Sequence, residues 1–336
     1  MAQLQTLPSA VRWTVPISAG PAAPPVIAGD HIFVVLQSGI VAAHRMADGA
    51  EAWHVELRTD QPVAVEGPRV FVAAGEMIHA LDAAGGSVLW RAASGAVTAP
   101  LVAQNGWLIV ASASGLTAFR GEDGTKVWSR DTGAQRLRPT IEGDNLYVPL
   151  NDGRLLALDL RTGADRWTKH LAGHLFSEVL AFADRVYAGS TDKFFYCFDA
   201  DDGAWEWHTR LGAVLRGRPA AEGANIFVTS VDNTLRAYDR NSGALRWHPS
   251  VPFRPGAPVV IGSIVVVAGN SAQLLAFDAR TGRTAGQIKL DEDLVMPPAF
   301  GSSGTAVMAA FTGSLNAQWK LVLTGPPAPP LSVHPE

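Results

Sequence analysis

The chain has 336 residues, of which 47% are hydrophobic and 17% charged, with 33 glycines and 22 prolines; this balance excludes extended disorder and suits many short strands joined by tight turns. A formal net charge of −4 supplies no concentrated cationic field, which excludes nucleic acid and anionic membrane surfaces as principal partners. The single cysteine, Cys197, excludes an internal disulfide and Cys-x-x-Cys chemistry, and no apolar run reaches the roughly 18 residues of a membrane span.

Residues 1–9 read as an N-terminal extension. The opening MAQLQTLPSAVRW has neither a basic n-region nor an apolar h-region, which leaves a cytoplasmic protein and a trimmed mature form both open. From residue 10 onward the chain is periodic. Trp13, Trp53, Trp90, Trp128, Trp167, Trp207 and Trp247 recur at a nearly constant interval, and the last six each follow a glycine by four positions. A period of roughly 40 residues signals a repeat architecture.

The units ending at Trp167 and Trp247 are the best preserved. They read Leu158-Asp159-Leu160-Arg161-Thr162-Gly163 and Tyr238-Asp239-Arg240-Asn241-Ser242-Gly243 ahead of their tryptophans. The Asp accepts turn N–H bonds and the Gly supplies a tight reversal. Within one period four short apolar runs alternate with turn residues, as in 218–247, and no helical spacing occurs. Four strands in each such period predict one propeller blade per repeat. Phe277-Asp278-Ala279-Arg280-Thr281-Gly282 repeats the turn, but Gly286 stands at its tryptophan site.

Eight periods fit between residues 13 and 323, the last with only three candidate strands. The expected fold is therefore all-β: an eight-bladed β-propeller of four-stranded antiparallel blades over residues 10–324, its ring closed by the N-terminal strand around Trp13. Residues 325–336 read as a Pro-rich tail.

The pattern Ala/Leu-x-Asp-x-x-Thr-Gly-x-x-x-Trp, matched at Asp159–Trp167 and Asp239–Trp247, resembles the pyrroloquinoline-quinone-type repeat. The resemblance covers residues 10–324. It implies either a quinoprotein dehydrogenase or a non-enzymatic member such as the lipoprotein B subunit of the outer-membrane β-barrel assembly machinery. The dehydrogenases it implies carry a disulfide between adjacent cysteines and a cation held by Glu, Asn and Asp, whereas this chain has one cysteine. Asp199-Ala200-Asp201-Asp202-Gly203 has the crowded oxygens of a calcium loop, yet it occupies the same repeat places as Asp239–Gly243 and reads as a turn. His54, His208 and His248 each follow a repeat tryptophan, so their recurrence reflects the repeat. Cys197 lies in an apolar strand and reads as core.

What remains is a scaffold without recognisable chemistry. We expect no enzyme activity, no cofactor and no metal, and a monomer that binds another protein through one propeller face. The connections between successive blades carry Arg136, Arg138, Arg216, Arg218 and Arg254, and these form the expected partner-binding rim; Arg58 lies in an equivalent connection. Glu178, Asp232 and Asp291-Glu292-Asp293 share that face. By resemblance the expected location is the periplasm or cell envelope. A quinone-dependent dehydrogenase and a sensor domain detached from a signalling protein stand as alternatives.

Overall fold

The computed structural model describes residues 10–290, 293–294, 296–301, 306–312 and 318–325, and among them all regular elements are β-strands. Blade IV shows why each repeat folds as it does. Its strands Thr140–Glu142, Asn145–Pro149, Arg154–Asp159 and Asp165–His170 pair in that order, each antiparallel to the next. The two middle strands read as unbroken apolar runs because neighbouring blades cover both their faces; Leu146, Tyr147, Val148 and Leu155 through Leu158 are all buried. The outer strand has one covered face and alternates accordingly, with Trp167 buried between exposed Arg166 and Thr168. A bulge between Ala157 and Leu158 turns the tryptophan onto the next blade. The same irregularity recurs at the tryptophan of each blade from Ala43/His44 to Ala237/Tyr238.

Seven such blades follow one another over residues 21–56, 64–93, 102–130, 140–170, 180–210, 220–247 and 259–289, here numbered I to VII. The eight-blade expectation is corrected by this topology: seven blades are built from four consecutive strands, and no eighth repeat of that kind exists among the described residues. Instead a closing sheet joins the chain ends in the order Ala10–Ile17, Gln318–Gly325, Ala306–Thr312 and Ala299–Phe300. Its innermost strand has two residues, and its outermost strand comes from the N-terminus, with Thr14 opposite Val322. The physical reason is the loss of repeat character after residue 282, where Gly286 replaces the tryptophan and the described residues beyond blade VII supply three strands. The closing sheet sits between blades VII and I. Val322 and Phe300 pack with Ile264 and Val266, while Leu321, Leu323 and Trp13 pack with Ile32 and Val34. The N-terminal extension at residues 1–9, the tail beyond Gly325 and the pair Asp291-Glu292 lie outside the described residues.

Adjacent blades meet through one repeated joint. The Trp128 ring of blade III lies against Gly163 of blade IV, where a Cβ would meet the indole at 2.8 Å. Gly163 also has φ of +71°, so a side chain there is excluded twice. The Trp128 indole N–H donates to the Leu160 carbonyl at 2.9 Å. Asp159 holds that turn in shape through N–H bonds from Arg161 at 3.1 Å and Thr162 at 3.0 Å. Glycines 49, 86, 124, 203, 243 and 282 meet Trp13, Trp53, Trp90, Trp167, Trp207 and Trp247 in the same way. The spacing of Gly and Trp within a repeat therefore encodes a contact between repeats. Trp13 joins the closing sheet to blade I with the same glycine contact and an indole bond to Met46 at 3.0 Å.

Trp167→Ala removes a buried ring and an inter-blade hydrogen bond, and its expected cost is about 3–5 kcal/mol; Gly163→Ala costs about 1–2 kcal/mol from its backbone angle alone and more from the indole contact. Chemical denaturation of both variants checks this, and full stability in either would mean that the joint does not hold the blades. Deleting Ala10–Ile17 exposes the edge of Gln318–Gly325 and is expected to cause aggregation or a lower melting temperature in a thermal scan with light scattering.

Candidate functional site

In a propeller the innermost strands ring an axis, and here those of neighbouring blades pack side by side. One mouth of the resulting channel is made by the inter-blade connections and by the hairpins between second and third strands. These two sets are tied together. The Asn151 side chain donates to Ala134 at 2.9 Å, His174 Nδ1 contacts the Asn151 carbonyl at 2.8 Å, and the Val231 N–H donates to Val214 at 3.0 Å.

The blade register sorts the arginines of this mouth into two tiers. Arg138, Glu178 and Arg218 each lie two residues before the innermost strands Thr140–Glu142, Leu180–Phe182 and Ala220–Glu222. They are thus equivalent positions on blades IV, V and VI. Pro62, Pro100 and Ala257 hold this position on blades II, III and VII, so the charge is confined to one wall. Two residues further out, the equivalent positions are Arg136, Phe176 and Arg216. The sequence singled out the arginines and missed Phe176, whose side chain is 55% exposed; Val231, on the blade VI hairpin of the same mouth, is 41% exposed. Counting back from the innermost strand would have placed Phe176 between the two arginines.

The electrostatics support this convergence. Burial among the sheets pushes the Glu178 carboxyl above its usual range, and the charges of Arg138 and Arg218 partly restore it. Arg218 is exposed by area yet hemmed in by protein, which lowers its pKa; Glu178 and Glu142 oppose that shift and Arg138 adds to it. Arg138 and Arg218 therefore sense each other across blade V. Burial and the charge of Arg254 likewise lower the pKa of Arg216, whose Nε is buried without a hydrogen-bond partner. Arg136 and Arg254 are exposed.

Among the described residues, none of these five guanidiniums has a carboxylate within 4.0 Å. Asp232 of the same mouth is already engaged, at 2.6 Å from Arg236. On the opposite face Arg161 pairs with Asp144 at 3.3 Å, Arg166 with Asp159 at 2.7 Å, and Arg246 with Asp239, whereas Arg240 and Arg280 have no carboxylate within 4.0 Å among the described residues. The mouth thus holds unneutralised cations next to exposed apolar side chains, in a chain whose net charge is negative.

Asp199 and Cys197 have ordinary structural surroundings. Asp199 Oδ1 accepts N–H bonds from Asp201 at 2.8 Å and Asp202 at 3.3 Å, the same turn bonding seen at Asp239. Cys197 is fully buried, and burial pushes its thiol up to about 12, which keeps it protonated at neutral pH. Trp107 lies in the core, whereas Trp205 is 52% exposed on the outer edge of blade V, its ring 4.9 Å from that of Phe198.

A family model described as "Outer membrane protein assembly factor BamB" matches residues 37–179 and 169–313. BamB of Yersinia pestis is 24% identical over 181 residues, 47% of this chain and 46% of that protein. The serine/threonine-protein kinase AfsK of Streptomyces coelicolor is 35% identical over 112 residues, 32% of this chain and 14% of the kinase. These matches span about half or less of the relatives' length. Among solved structures, BamB from Moraxella catarrhalis superposes with a TM-score of 0.77 at 18% identity, covering 94% of this chain and 99% of that one. A quinohemoprotein alcohol dehydrogenase from Comamonas testosteroni gives 0.75 at 14%, covering 97% and 77%. At these identities the superpositions speak for the fold.

The raised pKa of Glu178 has a consequence for stability. A carboxyl that binds its proton more tightly in the folded chain stabilises that chain most at acid pH, and the contribution is lost as pH rises through the folded value. The melting temperature of the wild type relative to Glu178→Gln is therefore expected to fall between pH 4 and pH 7. A difference that rises over this range would mean that the arginines, rather than burial, dominate at Glu178.

Proposed function

Because this chain belongs to the family of the outer membrane protein assembly factor BamB, we propose that it is a non-catalytic scaffold that binds another protein in the cell envelope during outer-membrane protein assembly. Its docking surface is the mouth carrying Arg136, Arg138, Arg216, Arg218 and Arg254. The observation that carries this reading is the difference between the two faces. Three turn-face arginines, Arg161, Arg166 and Arg246, are paired with Asp144, Asp159 and Asp239, and the turns repeat because each serves a joint. The mouth arginines have no such pairing among the described residues, and their connections differ from blade to blade. A surface that varies within a repeat protein is the one that a single asymmetric partner is able to read.

The chemistry of the mouth fits a protein partner. Guanidiniums bind carboxylates through paired hydrogen bonds, and arginine beside exposed aromatic and aliphatic groups is the usual composition of an interface hot spot. Phe176 supplies an apolar anchor between Arg136 and Arg216. The match to a segment of a protein kinase favours a second reading, a sensor module of a signalling protein, in which the same mouth receives the signal.

Reversing the outer tier tests the docking reading. Arg136→Glu/Arg216→Glu is expected to weaken binding to the partner captured from source envelopes at least tenfold, or about 1.4 kcal/mol, through lost contacts and added repulsion. Its melting temperature is expected to stay near that of the wild type. Arg161→Glu/Arg280→Glu, on the opposite face, is expected to bind normally. The reverse pattern in surface plasmon resonance would place the interface on the turn face.

A further inference from the structure

We propose that the inner tier of the channel, where Arg138 and Arg218 flank Glu178, is a seat for a single carboxylate or phosphate group. Arg138 and Arg218 also belong to the proposed docking mouth, but the seat does not rest on that reading and its test needs no protein partner.

Placement carries the argument first. Three successive blades bring charged side chains to the same register position two residues ahead of the innermost strand. Pro62, Pro100 and Ala257 at this position on other blades offer no side-chain donor or acceptor. An anion on the axis is therefore drawn to one wall, between blades IV and VI. Each guanidinium presents five N–H donors in a planar fork. Among the described residues neither Arg138 nor Arg218 spends any of them on a carboxylate within 4.0 Å.

Charge balance indicates how much the seat takes. Burial and the neighbouring Arg138 disfavour the charged form of Arg218, and the carboxylates of Glu178 and Glu142 compensate only in part, while burial disfavours ionisation of Glu178 itself. Hemmed-in like charges repel, so an oxyanion placed between Arg138 and Arg218 relieves their repulsion and adds bidentate bonds. Glu178 competes for the same donors. It keeps the empty channel close to neutral and weakens retention of the ligand. The outer guanidiniums of Arg136, Arg216 and Arg254 line the entrance and raise the local concentration of anions. The acidic group has two conceivable sources: a free small anion, or an Asp or Glu side chain on a polypeptide threaded into the mouth.

The experiment is isothermal titration of the full chain with sodium succinate, inorganic phosphate and an acetylated Ala-Glu-Ala-Glu-Ala peptide, at constant ionic strength in chloride. Saturable binding of at least one probe at one site per chain is expected. Saturation by succinate or phosphate identifies a free anion, and saturation by the peptide alone identifies a polypeptide side chain. Arg138→Gln/Arg218→Gln is expected to lose at least tenfold in affinity. Glu178→Gln is expected to gain at least threefold, an effect opposite in sign to that of removing a merely structural residue. Arg218→Lys keeps the charge without the fork and is expected to fall between wild type and the double variant, which provides a reading if the double variant does not fold. Arg136→Gln/Arg254→Gln is expected to lose less affinity than Arg138→Gln/Arg218→Gln, because it removes only the long-range attraction at the entrance. No saturable binding of any probe, affinity indifferent to Arg138 and Arg218, or weaker binding by Glu178→Gln would each overturn the seat.

Discussion

The packing of a tryptophan from one blade onto a glycine of the next is the contact on which this fold depends. It combines a large buried aromatic surface, a hydrogen bond from the indole N–H, and a backbone angle that only glycine adopts at low cost. Trp128 and Gly163 illustrate it, with the ring 2.8 Å from where a Cβ would stand and the indole 2.9 Å from the Leu160 carbonyl. The Asp159 carboxylate belongs to the same unit, because it shapes the turn that presents both the carbonyl and the glycine. Its pKa is lowered, chiefly by the hydrogen bond from the Thr162 hydroxyl, so the turn is built around the ionised form.

The joint also explains where the ring departs from regularity. Trp13 makes it between the closing sheet and blade I, which is why a strand from the far end of the sequence completes the ring. Blade VII has Gly286 in place of the tryptophan and offers no such contact to the closing sheet. At Trp247 the glycine contact persists, yet its indole nitrogen is buried without a partner, and the Ala279 carbonyl is taken by the Asn225 side chain at 3.1 Å. Repeat character therefore fades on approaching the seam. Because the joints lie away from the channel mouth, the inter-blade connections there are relieved of this packing duty, and function is commonly found on such segments carried by a rigid scaffold.

Much of this was legible in the sequence. The recurrence of tryptophan, the strand-turn-strand pattern and the outer-strand role of Trp13 all follow from spacing, because backbone-dictated residues must recur with each blade. The blade count was less legible. Period-counting treats the weak final segment as one more repeat, whereas pairing shows two chain ends completing a sheet that neither makes alone. The mouth was legible only as a set of arginines. Arg136 and Arg216 look like Arg138 and Arg218 in the sequence, and counting back from the innermost strands separates an outer tier from an inner one. Phe176 escaped notice because a lone aromatic residue in a connection has no period to mark it. The half-buried position of Glu178 between Arg138 and Arg218 depends on three blades meeting, which no local pattern records.

Photocrosslinking from Phe176 tests the docking account most directly. With p-benzoylphenylalanine at Phe176 and, separately, at Arg161 on the opposite face, irradiation in intact cells of the source organism reads which surface meets a protein. The account predicts one discrete adduct from position 176, abolished by Arg136→Glu/Arg216→Glu, and none from position 161. A discrete adduct from position 161 with none from position 176 would contradict it.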